Sequence, residues 1–185
     1  MQNFFITGLP RSRTAWLANF LTYNVSFCWH DALSFCKTPQ GLWEFLCQQA
    51  TSSGYDYLGS ADSAFVLRVD EMTKCFPEAK WVIVKRSRHE AAVSFWRYFG
   101  STYHEKSPQT WDETVSRFLK LEDALVNTMI ALPKAVVVDF KELDCTKVIR
   151  KVWVHCLPNL PFPEERWRML NTMKVNVIPE KVVFA

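Results

Sequence analysis

Short apolar runs alternate with longer amphipathic stretches along this chain. Phe4–Thr7 is an apolar run that ends at Gly8, and an amphipathic stretch follows from Arg13 to about Tyr23. Val25–Trp29 reads as a second strand. After a turn at Pro39–Gly41, Leu42–Ala50 reads as a helix; Tyr55–Gly59 is the third strand, and Ser63–Phe76 is helical up to Pro77. Lys80–Lys85 (KWVIVK) is short, β-rich and apolar at its centre, which predicts a buried strand. Arg88–Phe99 is a helix that Gly100 should close. Thr110 to about Leu132 is a long helix. Thr110 and Glu113 form a capping box, and Trp111, Val115, Phe118, Leu121, Leu125 and Met129 share one stripe. Ala135–Phe140 is β-rich again, with two more helices over Thr146–His155 and Pro163–Met173. Strands alternating with helices predict an α/β fold, a three-layer α/β/α arrangement with a parallel sheet covered on both faces.

Composition narrows the function classes. At 185 residues the chain is read as one domain over 1–185. A net charge of +3 suits a small anionic ligand and falls short of a nucleic-acid-binding stripe, so no nucleic acid is expected. No apolar run approaches the length of a membrane span, and Met1–Gly8 does not read as a secretion signal. The six cysteines make no CxxC pair and read as reduced, mostly buried thiols. These features point to a cytoplasmic protein without a membrane partner. The eight tryptophans read mainly as core.

The most informative segment is Gly8–Leu17, which joins an apolar strand to a hydrophobic helix. Such a junction turns backbone N–H groups toward an anion at the helix N-terminus. Arg11 and Arg13 add charge, and Ser12 and Thr14 add hydroxyl donors. The alternative is a surface turn with solvated arginines. Laid on Gly8, the phosphate loop GxxxxGK(S/T) fails at three places. Arg13 holds the second glycine's position, Thr14 the lysine's and Ala15 that of the Mg²⁺-binding hydroxyl. This argues against an ATP- or GTP-cleaving enzyme and leaves a phosphate cradle.

Pro10–Trp16 (PRSRTAW) resembles the 5′-phosphosulfate-binding loop of sulfotransferases, written PKSGTTW, with Arg13 for the glycine and Ala15 for the second threonine. Arg86–Arg97 resembles the segment of that family that binds the 3′-phosphate, RNPxDxxVS. Arg86, Val93 and Ser94 match, and Arg88 stands at the proline. Solvated arginines and a small packing serine are the other reading of that segment. Val136–Leu143 is similar to the late strand of the family and its "YEDL"-like turn. The resemblance spans residues 4 to about 157 and implies the P-loop-like sulfotransferase fold. It implies 3′-phosphoadenosine 5′-phosphosulfate (PAPS) as donor, with adenosine 3′,5′-bisphosphate (PAP) left behind. Arg11, Ser12, Arg13, Thr14, Arg86 and Ser94 would hold the donor, and Arg11 would also stabilise the leaving charge. The acceptor would be a hydroxyl or amine of a small molecule or carbohydrate, and no metal is expected. The family's C-terminal RKGxxGxWK signature is absent; Arg166, Arg168, Lys174 and Lys181 there read as a solvated face.

An acceptor must lose a proton, so a base is needed at the carboxyl ends of the strands, where ligands of open α/β sheets bind. His30 and Asp31 end the second strand, which is expected to lie beside the strand feeding the loop. His30 is the candidate base, or a structural or acceptor-binding histidine; Asp31 would orient it or act as base itself. In the region comparable to the KTHLP-like segment of cytosolic sulfotransferases, Ser60–Ser63, there is no histidine. Asp62 and Ser63 are helix-cap candidates that could also face the ligand. His89 and His155 read as structural, and His104 falls in a candidate acceptor lid over Ser101–Ser107. Two other functions compete: a P-loop phosphotransferase such as a small nucleotide kinase, and a nucleotide-binding module without catalysis.

Overall fold

The computed structural model describes residues 2–103 and 110–173, and its centre is a five-stranded parallel sheet. In chain order the strands are β1 (Gln2–Gly8), β2 (Ser26–His30), β3 (Tyr57–Ala61), β4 (Lys80–Lys85) and β5 (Val136–Asp139). The helices are α1 (Thr14–Leu21), α2 (Leu33–Cys36), α3 (Pro39–Ser53), α4 (Val69–Cys75), α5 (Arg88–Tyr103), α6 (Trp111–Ala131), α7 (Thr146–Cys156) and α8 (Glu164–Thr172). Short 3₁₀ turns cover Ser63–Leu67 and Phe140–Asp144.

Strand periodicity divides the core in two. Phe4 and Ile6 of β1 and Val82 and Val84 of β4 face one side, with Trp16, Phe20 and Trp153. Phe5, Trp81 and Ile83 face the other, with Leu42, Phe65 and Phe118. Both faces are therefore covered, as the apolar strands required, and the three-layer α/β/α reading holds.

The strand order is β2-β3-β1-β4-β5. The expectation that β2 lies beside β1 is corrected: β3 stands between them, pairing Phe4 with Gly59 on one side and Cys28 with Gly59 on the other. A Cβ at Gly59 would sit 2.5 Å from the Phe4 carbonyl oxygen, so the strand needs glycine there. The chain leaves β1 toward one edge and later crosses to the other, which makes the carboxyl end of β1 a switch point.

Several boundaries differ from the sequence reading for local reasons. α3 starts at Pro39 rather than Leu42: the Thr38 hydroxyl accepts from the Gly41 N–H at 3.0 Å, and proline suits a first helical turn. The expected helix Ser63–Phe76 breaks at Arg68 (φ −137°, ψ 22°). α5 runs past Gly100 to Tyr103, because one glycine costs a helix only about 1 kcal/mol. β3 is displaced by two residues from Tyr55–Gly59. Among the cysteines only Cys28 and Cys156 are buried, and all six are free. Trp16, Trp81 and Trp153 are core, whereas Trp43 and Trp111 are exposed. The capping box at Thr110–Glu113 is present as read. No helix among the described residues is long and apolar enough to cross a membrane.

Candidate active site

The loop from Gly8 to Arg13 turns sharply between β1 and α1. Gly8 packs so close to β4 that a Cβ would lie 2.6 Å from the Val84 carbonyl oxygen. Arg11 (φ 69°) and Arg13 (φ 62°) both take the left-handed conformation that glycine adopts most easily. A loop that accepts this strain twice holds its backbone in a shape the chain alone does not favour, a frequent mark of a ligand clamp.

Arginines crowd this loop. The Arg86 guanidinium donates from Nη1 to the Arg11 carbonyl and stacks 4.1 Å from the Phe140 ring. Burial lowers the Arg86 pKa, the Glu90 charge opposes that, and Arg11 adds to it. Arg11 lies 4.1 Å over the Tyr98 ring. Arg11 Nε, Arg86 Nε and Ser12 Oγ are all buried without a hydrogen-bond partner. Unpaired buried donors are costly, and an anion held by the Arg11 and Arg86 guanidiniums in the clefts they line would offset the repulsion between these like charges.

Two clefts meet at this point. The larger, about 600 Å³, runs from the loop past His30, Asp31 and Ser63 to Phe95 and Phe99. The smaller, about 470 Å³, lies along α5. Arg11, Arg86, Ser94 and Tyr98 line both.

His30 and Asp31 reach the larger cleft although β2 is not next to β1. His30 Nε2 lies 3.3 Å from the Thr14 hydroxyl, and His30 Nδ1 lies 3.3 Å from Asp31 Oδ2. Burial lowers the His30 pKa, against an opposing pull from the Asp62 charge. Burial raises Asp31 to about 6. Asp62 is also raised, chiefly by burial, while its Oδ1 accepts from the Ala64 N–H at 2.8 Å and its Oδ2 from the Leu33 N–H at 3.1 Å. Asp62 thus caps two turns at once, and both of its oxygens are in use.

Arg13 has a different set of partners from the other loop residues. Its Nη1 donates to Asp144 Oδ1 at 2.6 Å and its Nη2 to Asn171 Oδ1 at 3.0 Å, with the guanidinium 4.3 Å from the Trp16 ring. The side chain pins the loop to the Phe140–Asp144 turn and to α8. Trp16 Nε1 donates to the Leu170 carbonyl at 3.0 Å and ties α8 down a second time.

A sulfotransferase from Alicyclobacillus acidocaldarius superposes with a TM-score of 0.60 over 84% of this chain and 81% of its own, at 16% identity. The mouse sulfotransferase SULT7A1 complexed with PAP superposes with a TM-score of 0.61 over 92% of this chain, at 13% identity. This chain has the sulfotransferase fold. It spans 64% of the length of the mouse protein. No family model matches the sequence, and no curated protein matches it.

Within this sulfotransferase fold, sequence reasoning missed Arg97, Tyr98, Phe140, Asp144 and Asn171 around the clefts. Arg97 and Tyr98 follow Ser94 by three and four residues, so helical spacing could have put them on its face. Asp144 and Asn171 carry no local signal, being 131 and 158 residues from Arg13. Arg166 donates to the Asn19 carbonyl at 2.6 Å, and Arg168 pairs with Glu164. His104, Lys174 and Lys181 lie outside the described residues.

Proposed function

We propose that this chain is a sulfotransferase that moves a sulfuryl group from PAPS to a hydroxyl or amine of a small-molecule or carbohydrate acceptor. The observation that carries the reading is the position of Arg11 and Arg86 between two adjoining clefts. A nucleotide with phosphates on its 5′ and 3′ sides needs cations at such a junction. Arg11 and Arg86 line both clefts and have no carboxylate ion pair among the described residues, which fits such a ligand.

In the proposed reaction, a bond forms between the acceptor oxygen or nitrogen and sulfur. The bond from sulfur to the bridging oxygen breaks, and the bisphosphate leaves with that electron pair. Arg11, Ser12 and the N-terminus of α1 stabilise the growing charge. His30, kept neutral by burial, takes the acceptor proton at Nε2. The Asp31 carboxylate, on the Nδ1 side, favours the tautomer that leaves Nε2 unprotonated, where the acceptor would take the place of the Thr14 hydroxyl that lies 3.3 Å away.

The test is a mass-spectrometric screen of the chain with PAPS and a panel of hydroxyl and amine acceptors. The expected result is a sulfated product and released PAP, equally with and without EDTA, because Ala15 offers no hydroxyl for Mg²⁺. Mg²⁺-dependent phosphoryl transfer from ATP would support the phosphotransferase instead. Tight PAP binding without turnover across a broad panel would support the module without catalysis.

A further inference from the structure

The smaller cleft contains a cation, Arg97, that lies beyond the matched positions of the 3′-phosphate segment. Glu90, Ser94, Arg97 and Tyr98 recur at helical spacing on one face of α5 and line this cleft with Arg11 and Arg86. Ala91 and Ala92 turn to the other face and join the core. Arg97 is therefore one turn beyond Ser94 and on the same side.

Arginines elsewhere are mostly paired with carboxylates: Arg13 with Asp144, Arg68 with Glu71, Arg88 with Glu122, Arg150 and Arg168 with Glu164. None of the three that face this cleft has a carboxylate partner among the described residues. Among the described residues the cleft's one carboxylate is Glu90, whose Oε1 lies 3.1 Å from Lys141 Nζ. Among the described residues, three guanidiniums thus face a space lined by a single carboxylate, Glu90, which acts on Arg86 and is shared with Lys141. One phosphodiester or sulfate charge would leave that excess largely unmatched. A terminal phosphate monoester carries close to two charges at neutral pH and presents three acceptor oxygens to guanidinium forks.

We infer that Arg97 is a specificity-determining residue, which binds the terminal 3′-phosphate monoester and so separates a 3′,5′-bisphosphate from a nucleotide with a free 3′-hydroxyl. This rests on the sulfotransferase reading. Arg86 and Ser94 hold the phosphate from the base of the cleft, and Arg97 closes on it from the exposed rim.

Calorimetry of the full chain with PAP and with 5′-AMP tests the assignment, using wild type, Arg97→Ala, Arg97→Lys and Arg88→Ala. Losing a charged contact should weaken PAP binding about ten- to a hundred-fold in Arg97→Ala and leave AMP binding unchanged. Arg97→Lys keeps the charge without the fork and should fall between. Arg88→Ala removes a positive charge from the same helix outside both clefts, and should keep the wild-type preference. A wild-type preference for PAP that persists in Arg97→Ala would overturn this inference alone. Equal binding of PAP and AMP by wild type would overturn the sulfotransferase reading and this inference together.

Discussion

Arg13 Nη1 reaches Asp144 Oδ1 at 2.6 Å, joining the loop after the first strand to the turn after the last described one. The residue stands where the resembling motif has glycine, and it keeps the glycine-like backbone at φ 62°. Its side chain serves as a tether between the loop, the Phe140–Asp144 turn and α8.

Replacing Arg13 separates strain from tether. Arg13→Gly relieves the left-handed strain, about 1 kcal/mol, and loses a partly exposed ion pair of about the same worth. Its stability should stay within about 1 kcal/mol of wild type. Arg13→Ala keeps the strain and loses the tether, so it should be less stable than Arg13→Gly by about 1 kcal/mol in urea denaturation. PAP affinity should change by only a few-fold in Arg13→Gly, since the guanidinium is held by Asp144 and Asn171. A loss near a hundred-fold would make Arg13 a direct phosphate ligand.

Arg11 and Arg86 should behave oppositely to Arg13. Both carry a buried, unpartnered Nε, and they stand at the junction of the two clefts. Arg11→Ala and Arg86→Ala should each weaken PAP binding by about 1.5–3 kcal/mol in calorimetry, roughly ten- to a hundred-fold. Arg86→Ala also breaks the bond to the Arg11 carbonyl. Its effect should therefore not add to that of Arg11→Ala in the double variant. Strict additivity would mean that the two arginines act at independent places.

What the sequence revealed and what it hid follow one division. β4 was readable at both ends because lysines flank an apolar centre, and the start of α6 because Thr110 and Glu113 form a local capping signal. The loop at Arg11–Thr14 was readable because its chemistry is contiguous. The position of β3 between β2 and β1 was not, because periodicity records burial and says nothing about which buried strand pairs with which. The same holds for the clasp of Arg13 by Asp144 and Asn171. The closeness of His30 to Thr14 was expected from a false adjacency of strands. It arises instead because the parallel strands end level, with His30 opposite Ala61 and Ala61 opposite Ile6.

Asp31 should show a conflict between stability and function. Its carboxyl is raised from the ordinary aspartate range to about 6 because burial disfavours the charge. Ionisation is therefore harder in the fold than in the unfolded chain. The group's stabilising contribution is full below its unfolded pKa, declines as pH rises, and is gone above about 6. Asp31→Asn removes that penalty, and asparagine tolerates the φ of 54° found there. Thermal melts at pH 8 should show a higher Tm for Asp31→Asn, with the gain shrinking as pH falls below about 6 and gone below the ordinary aspartate pKa. A lower Tm at pH 8 would mean that the ionised carboxylate stabilises the fold through His30.

The rate should test the same pair from the other side. A general base contributes about 10²–10⁴-fold, so His30→Ala should lower kcat by that order once an acceptor is found, while PAP affinity stays near wild type. The acid limb of the wild-type pH–rate profile should lie below the ordinary histidine value, because burial lowers the His30 pKa more than the Asp62 charge restores it. Asp31 loses its charge over the same acid range, so both groups make activity fall as the pH drops toward 6 and below. Asp31→Asn should cost less than His30→Ala if the carboxylate only sets the tautomer, and as much or more if it is the base. Asp62 gives the contrast: its oxygens accept from Ala64 and Leu33, so Asp62→Asn should lower stability before it alters the pH profile. If His30→Ala keeps most of its kcat and Asp62→Asn loses it without unfolding, the base belongs to β3's end and not to β2's.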